Sequence, residues 1–346
     1  MNSRERIRAI IAGEDADRCG LWLGNPHADT WPLLHEYFGT SSQEELRVRL
    51  RDDYRWIAPW DAYRHPDGKD IFDIQPAGEG LSAAGNLAEC EDPAEVERFE
   101  WPDPDHLDFT GTIERLRNAG HCYRASGFWC PFFHNVAGFF GMENYFVKMF
   151  THPEVVHAVT RHVVDFYLEG NERLFEQAGD LIDGFFFGND FGTQLDLLIS
   201  PEAFREFVFP YFRRLTDHAH EHGLQVILHS CGAIHKVIPD LIQMGVDALH
   251  PLQARARDME AERLARDFRG QIAFMGGIDT QQLLVHGSPE EVKEDVRRVR
   301  GLLGPRLIVS PSHEAVLPNV PPENIEAMAQ AAVEGVGSQI RMRNEE

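Results

Sequence analysis

No apolar run in the 346-residue chain is long enough for a membrane helix, and the first residues, Met1 to Arg8, are polar and basic with no apolar core behind them. Neither a membrane span nor a secretory leader is expected, and the sequence reads as cytoplasmic. Basic residues are scarce: 33 Lys and Arg stand against 56 Asp and Glu, a net charge of −23 at pH 7. That balance argues against a nucleic-acid partner, because holding a phosphate backbone normally requires a basic face. Cysteines are few, at positions 19, 90, 122, 130 and 231, without any CxxC spacing. An odd, scattered set in a long chain points to reduced thiols and not to a disulfide framework. The phosphate cradles are missing as well. No GxGxxG follows an apolar run and no GxxxxGK[ST] occurs, which removes the usual dinucleotide and P-loop readings.

What the chain has is core and rhythm. Hydrophobic residues make up 43% of it, and its length permits one large barrel or two ordinary domains. The first third is irregular and rich in Trp, Pro and Asp, and reads as a cap, residues 1–119, on a larger body of βα repeats, residues 120–346. From Gly120 onward, apolar runs of strand length alternate with long amphipathic segments. The expected strands are Tyr123 to Phe128, Leu181 to Phe187, Leu224 to Leu228, Ala248 to Leu252, Ile272 to Met275 and Leu307 to Val309. The expected helices are Glu143 to Thr151, Pro153 to Gln177, Pro201 to Glu221, Ala233 to Met244 and Pro289 to Leu303. Unusual polar residues recur at or just after the strand ends, which is where (β/α)8 barrels carry their active sites. The fold class is therefore α/β, a single (β/α)8 TIM barrel with an N-terminal extension.

The run Leu228-His229-Ser230-Cys231-Gly232 is the most informative of these ends. Residues two apart on extended chain point the same way, so one imidazole and one thiolate can grip the same ion. An N/S pair of that kind favours zinc, and a catalytic zinc commonly takes three protein ligands and keeps one position open. His313, in Ser310-Pro311-Ser312-His313-Glu314 after the last strand, is the expected third ligand. Asp190 lies between glycines in Gly188-Asn189-Asp190-Phe191-Gly192-Thr193-Gln194, where a carboxylate orients or protonates a substrate, with Asn189 and Gln194 as hydrogen-bonding partners. His250 and Gln253 read as the polar wall of the pocket floor, with His250 a second catalytic candidate and a weaker candidate ligand. Asp279 reads as an N-cap that also reaches substrate. His218, His220 and His222 sit on a charged segment and read as a solvated helix end.

The span from Gly141-Met142-Glu143 to Pro321-Pro322-Glu323-Asn324 resembles the uroporphyrinogen decarboxylase superfamily, which also contains corrinoid-dependent methyltransferases. The matching pieces are the Gly188 to Gln194 run, Leu228-His229-Ser230-Cys231-Gly232, Gly245-Val246-Asp247 leading to His250-Pro251-Leu252-Gln253, and Gly276-Gly277-Ile278-Asp279-Thr280-Gln281. The Arg-rich RQAGRY-like motif expected of the decarboxylases themselves is missing, whereas H-x-C-G is the pattern of the methylcobamide:coenzyme M methyltransferase branch. The resemblance implies a zinc that activates a thiol there, a corrinoid carried on a partner protein, and a homodimer. Where the branch has a third, cysteine ligand, this chain has Ser312-His313. An imidazole in place of a thiolate makes the site less negative and a stronger Lewis acid, so the methyl acceptor need not be a thiol.

The expected function is a zinc-dependent methyltransferase that moves a methyl group between a corrinoid and a small-molecule donor or acceptor. The alternative is a decarboxylase or zinc-assisted lyase or hydrolase acting on a small acid. A binding-only barrel is the third reading. Arg255, Arg257 and Arg263 could form a basic docking patch for a corrinoid protein, although an ordinary solvated loop and helix is the favoured reading of them.

Overall fold

The apolar runs become short parallel strands that are buried throughout, as a sheet covered on both faces requires. The protein is described by a computed structural model that covers residues 1–80 and 82–335. Its strands are β1 Gly20–Leu21, β2 Tyr54–Trp56, β3 Tyr123–Ser126, β4 Gly184–Gly188, β5 Gln225–His229, β6 Ala248–His250, β7 Ala273–Ile278 and β8 Leu307–Pro311. They form one sheet in the order β1-β8-β7-β6-β5-β4-β3-β2, all pairs parallel. Helices in the connections cover the outside, which gives a nearly closed α/β TIM barrel.

The remaining seam, between β2 and β1, is closed by acids where a regular ladder would otherwise run. The Asp53 N–H donates to the Leu21 carbonyl at 2.9 Å. The Asp53 carboxylate accepts the Leu21 N–H at 3.1 Å, and that of Asp52 accepts the Leu23 N–H at 3.2 Å.

Alternation along each strand separates two cores. Trp22, Tyr54, Tyr123, Phe186, Ile227, Ala248, Met275 and Ile308 fill the barrel interior. Their neighbours Phe185, Phe187, Val226, Leu228 and Leu249 face the helices. The helix Ser3–Ala12 adds Ile7, Ile10 and Ile11 to the inner cluster and so plugs the N-terminal end of the barrel. A capping box starts it, with the Asn2 side chain on the Glu5 N–H and the Glu5 carboxylate on the Asn2 N–H.

Several elements differ from expectation, each for a local reason. Residues 1–119 are more than a cap: they supply β1 and β2, which at two and three residues are too short to leave a periodic signature. The segment Pro201 to Glu221 is two helices, Pro201–Phe207 and Phe209–Glu221, because Pro210 has no N–H to continue the first. Pro239 likewise confines the helix after β5 to Ile238–Gln243. All five cysteines are unpaired. Among the described residues no helix is long and apolar enough to cross a membrane.

Candidate metal centre

Register puts the site together. Gly188, His229 and His250 are partners across β4, β5 and β6, and each shares the inward parity of Phe186, Ile227 and Ala248 one step below. The layer above the hydrophobic interior is therefore polar on two adjacent strands. Gly188 has no Cβ, and the Trp129 ring occupies the space one would fill. That ring lies 5.1 Å from the His229 ring, while Trp22 lies 5.1 Å from His250.

The His229 imidazole has a different set of neighbours at each nitrogen. Nε2 lies 3.3 Å from Cys231 Sγ and 3.4 Å from Asp190 Oδ1. Nδ1 lies 3.0 Å from His250 Nδ1 and 3.4 Å from Glu314 Oε2. Burial disfavours a charged His229, yet Asp190, Cys231 and Glu314 together hold its pKa well above the ordinary histidine value. His250, fully buried and next to the charge of His229, is pushed the other way, well below it. Asp190 is half-buried, which would raise it, but His229 and the Cys231 N–H, 2.8 Å from Oδ1, bring it down to about 2. His313 is raised by Cys231 above all, against its own burial, with Glu314 adding to the effect.

The donor set fits a zinc ion. Two donors bound to zinc at about 2.0–2.3 Å in tetrahedral geometry lie roughly 3.3–3.6 Å apart, and the Nε2–Sγ and Nε2–Oδ1 separations match that edge. Asp190, His229 and Cys231 each offer an atom within 4.8 Å of the others, as do His229, His250 and Glu314. Glu314 Oε2 is buried without a hydrogen-bond partner and lies within ion-pair distance of the His229 and His313 rings.

The expected site residues separate into those that meet and those that do not. His229, Cys231, Asp190 and His250 form one constellation. His313 borders it without joining either three-donor group: its ring stands 6.3 Å from that of His229, and its Nδ1 accepts the Ala315 N–H at 3.1 Å. A neutral imidazole that accepts at Nδ1 carries its proton on Nε2, so His313 is set to donate toward Cys231.

Asn189 is buried, and both ends of its amide are engaged by the loop after β3: Oδ1 accepts the Phe133 N–H and Nδ2 donates to the Cys130 carbonyl. Both ends of the amide thus hold that loop. Gln194 Nε2 donates to Gln253 Oε1 at 2.6 Å, and the same oxygen accepts the Gly232 N–H, so this pair secures the Cys231 loop. Asp279 caps the next turn through the N–H groups of Gln281 and Gln282 and pairs with Arg255. Glu314 and Trp129 are the neighbours that sequence reasoning passed over. An acid directly following His313 at a strand end was a signal available for the first, whereas nothing local marks the second.

Residues 88–335 match the family model described as uroporphyrinogen decarboxylase (URO-D). A 158-residue segment, 45% of the chain and 39% of the relative, is 29% identical to methylated-thiol–coenzyme M methyltransferase of Methanosarcina mazei. A 198-residue segment, 55% of the chain and 52% of the relative, is 24% identical to methylcobamide:CoM methyltransferase MtbA of Methanosarcina acetivorans. The matches thus span less than two thirds of either relative's length. A solved methyltransferase from Methanosarcina mazei shares the fold, with a TM-score of 0.66 at 14% identity over 96% of this chain and 98% of that one. With more than half of its length matched by the family model, the chain belongs to the uroporphyrinogen decarboxylase family.

Proposed function

We propose that the protein is a zinc-dependent methyltransferase that moves a methyl group between a corrinoid carried by a partner protein and a small-molecule donor or acceptor. The observation that carries this is the meeting of His229 Nε2, Cys231 Sγ and Asp190 Oδ1 at zinc-like separations. The names of the two methanogen relatives add support for the reaction type. His229 and Cys231 would hold the ion, with Asp190 in the third position in preference to His313, whose Nδ1 is already engaged. A zinc ion there would act as a Lewis acid toward the heteroatom that gains or loses the methyl group.

The protein's own residues supply the rest. His250, neutral because it is buried, accepts the proton on His229 Nδ1 and so fixes the tautomer that leaves Nε2 free as a ligand. Glu314 offsets the positive charge on that side. His313 donates toward the Cys231 sulfur and can pass a proton to a leaving heteroatom. The Gln194–Gln253 pair keeps the Cys231 loop in place.

The test is metal content of the purified protein by elemental analysis, alongside His229→Ala, Cys231→Ala, Asp190→Asn and His313→Ala. Loss in the first three with retention in His313→Ala is the expected result. Retention in Asp190→Asn with loss in His313→Ala would make the imidazole the third ligand. Methyl transfer from a methylated corrinoid to candidate thiols and other small acceptors is then measured beside release of carbon dioxide from small acids. Carbon dioxide without methyl transfer would replace the methyltransferase reading by a decarboxylase.

A further inference from the structure

Of the three histidines expected to form a solvated helix end, His220 pairs with Asp247, while His218 and His222 meet a shared carboxylate. His218 lies in the last turn of the helix Phe209–Glu221, and His222, the residue after it, keeps near-helical dihedrals of φ −84° and ψ 4°. Four positions apart, the two rings share one face. The face they share is turned toward Glu172 on the preceding crossover helix, Pro153–Ala178. His218 Nε2 lies 2.6 Å and His222 Nε2 3.0 Å from the same oxygen, Glu172 Oε2. All three donor atoms lie within 4.8 Å of one another.

We propose that Glu172, His218 and His222 form a second metal site for a borderline divalent ion such as zinc. Two imidazoles and a carboxylate select zinc, copper, nickel or cobalt over magnesium and calcium, which prefer oxygen alone. Three protein donors leave a fourth position to water. Among the described residues Glu172 has no Lys or Arg partner, so its charge is balanced by these two imidazoles. The Phe175 ring flanks both histidines, at 5.7 Å from His218 and 5.4 Å from His222, and shields one side of the cluster. The other side stays reachable: the side chains of His218, His222 and Glu172 are 15%, 26% and 41% exposed. A cleft of about 170 Å³ adjoins His222 and Phe175.

The site lies just before β5 begins at Gln225, at the end of the barrel opposite Cys231. A metal there would tie the β3–β4 crossover to the β4–β5 crossover, joining two helices otherwise held together by side-chain packing, hydrogen bonds and ion pairs. This assignment does not depend on the reading of the barrel mouth.

The experiment is a zinc titration of the full, metal-stripped chain, run on wild type, His218→Ala/His222→Ala and Cys231→Ala. The expected result is one zinc equivalent fewer in the double variant than in wild type, and a further loss when Cys231→Ala is added. Cobalt separates the two sites by spectrum, since only a Cys231 site gives a thiolate charge-transfer band. Zinc should raise the melting temperature of Cys231→Ala, and the rise should vanish in the triple variant. Equal zinc uptake by wild type and the double variant overturns the proposal. If the double variant does not fold, Glu172→Gln, which keeps the shape and a hydrogen-bond acceptor, is titrated in its place, and unchanged zinc affinity there overturns it equally.

Discussion

The Nδ1 atoms of His229 and His250 lie 3.0 Å apart inside the barrel, so one proton must sit between two rings that differ in their readiness to hold it. The surroundings decide the sharing: His229 is flanked by Asp190, Cys231 and Glu314, while His250 is enclosed by Trp22 and Phe186. The proton therefore belongs to His229 and the lone pair to His250. Replacing His250 by Leu removes the acceptor and should lower zinc affinity by about 10- to 100-fold, the usual effect of losing a partner that orients a ligand. His250 Nε2 is itself buried without a partner, and its removal offsets part of the about 1–3 kcal/mol that leaving the His229 Nδ1–H unpaired costs the fold. His250→Gln, which can still accept, should restore part of the affinity. A chelator-competition titration beside a melting curve separates the two effects, and equal affinity in wild type and His250→Leu would remove His250 from the site.

Asp53 closes the barrel seam while neutralising two buried guanidinium groups. Its carboxylate accepts from Arg6 at 2.8 Å and from Arg18 at 2.7 and 2.9 Å, with Ser3 and the Leu21 N–H as further donors. Asn in its place keeps the shape, but it leaves the Arg18 cation without a counter-charge, Arg6 keeping its pair with Asp17, where none of the Arg6, Arg18 and Asp53 side chains is more than 6% exposed. Breaking a buried pair in this way costs about 3–5 kcal/mol. Denaturant unfolding of Asp53→Asn should show a loss of that order, and a loss below about 1 kcal/mol would mean that water already reaches the seam.

The halves of the fold were unequally legible in the sequence. Runs such as Phe185-Phe186-Phe187 and Val226-Ile227-Leu228 announce buried strands because both faces are covered, and the polar residues that follow mark the functional end. Gly20–Leu21 and Tyr54–Trp56 announce nothing, since their place in the sheet comes from Asp52 and Asp53 reaching across the seam. At the site, the spacing of His229 and Cys231 was enough to bring them together on paper. The structural role of Asn189 was not legible, because its sequence context does not reveal that Phe133 and Cys130 fold back onto it. The pairing of His218 and His222 with Glu172 depends on how two helices pack, which periodicity within either one cannot disclose.

His157 gives a pH dependence remote from both proposed metal sites. Its ring stacks on Phe207 at 4.9 Å and meets the Tyr211 hydroxyl at 3.0 Å, and burial lowers its pKa below the ordinary histidine value. The unfolded chain, with a histidine pKa of about 6.5, then binds the proton more readily than the folded one. Stability from this group is complete above about pH 6.5 and is lost as the pH falls through the lower, folded value. Melting temperatures from pH 7.5 down to pH 5, taken with a chelator present throughout, should fall more steeply for wild type than for His157→Gln. Parallel slopes would show that the ring stays solvated enough to protonate in place.

Gly232 tests how closely the metal site depends on the loops that frame it. Its φ of +88° is one that side-chain-bearing residues rarely adopt, and a Cβ there would collide with the carbonyls of Gly192 and Thr193. Its own N–H donates to Gln253 Oε1, and the Ala233 N–H donates to the Thr193 carbonyl at 2.7 Å. The backbones of the β4 and β5 loops thus touch directly behind Cys231, and this contact holds the thiol beside Asp190. Gly232→Ala must rotate the loop or push the Gly192 turn outward, and either movement separates Cys231 Sγ from Asp190 Oδ1. Backbone strain of this kind costs about 1–3 kcal/mol, a modest loss in a melting curve. The loss of zinc affinity should be the larger effect, because the ligand positions themselves shift. If Gly232→Ala melts lower yet binds zinc like wild type, Cys231 is positioned by β5 alone and the contact between the loops serves only the fold.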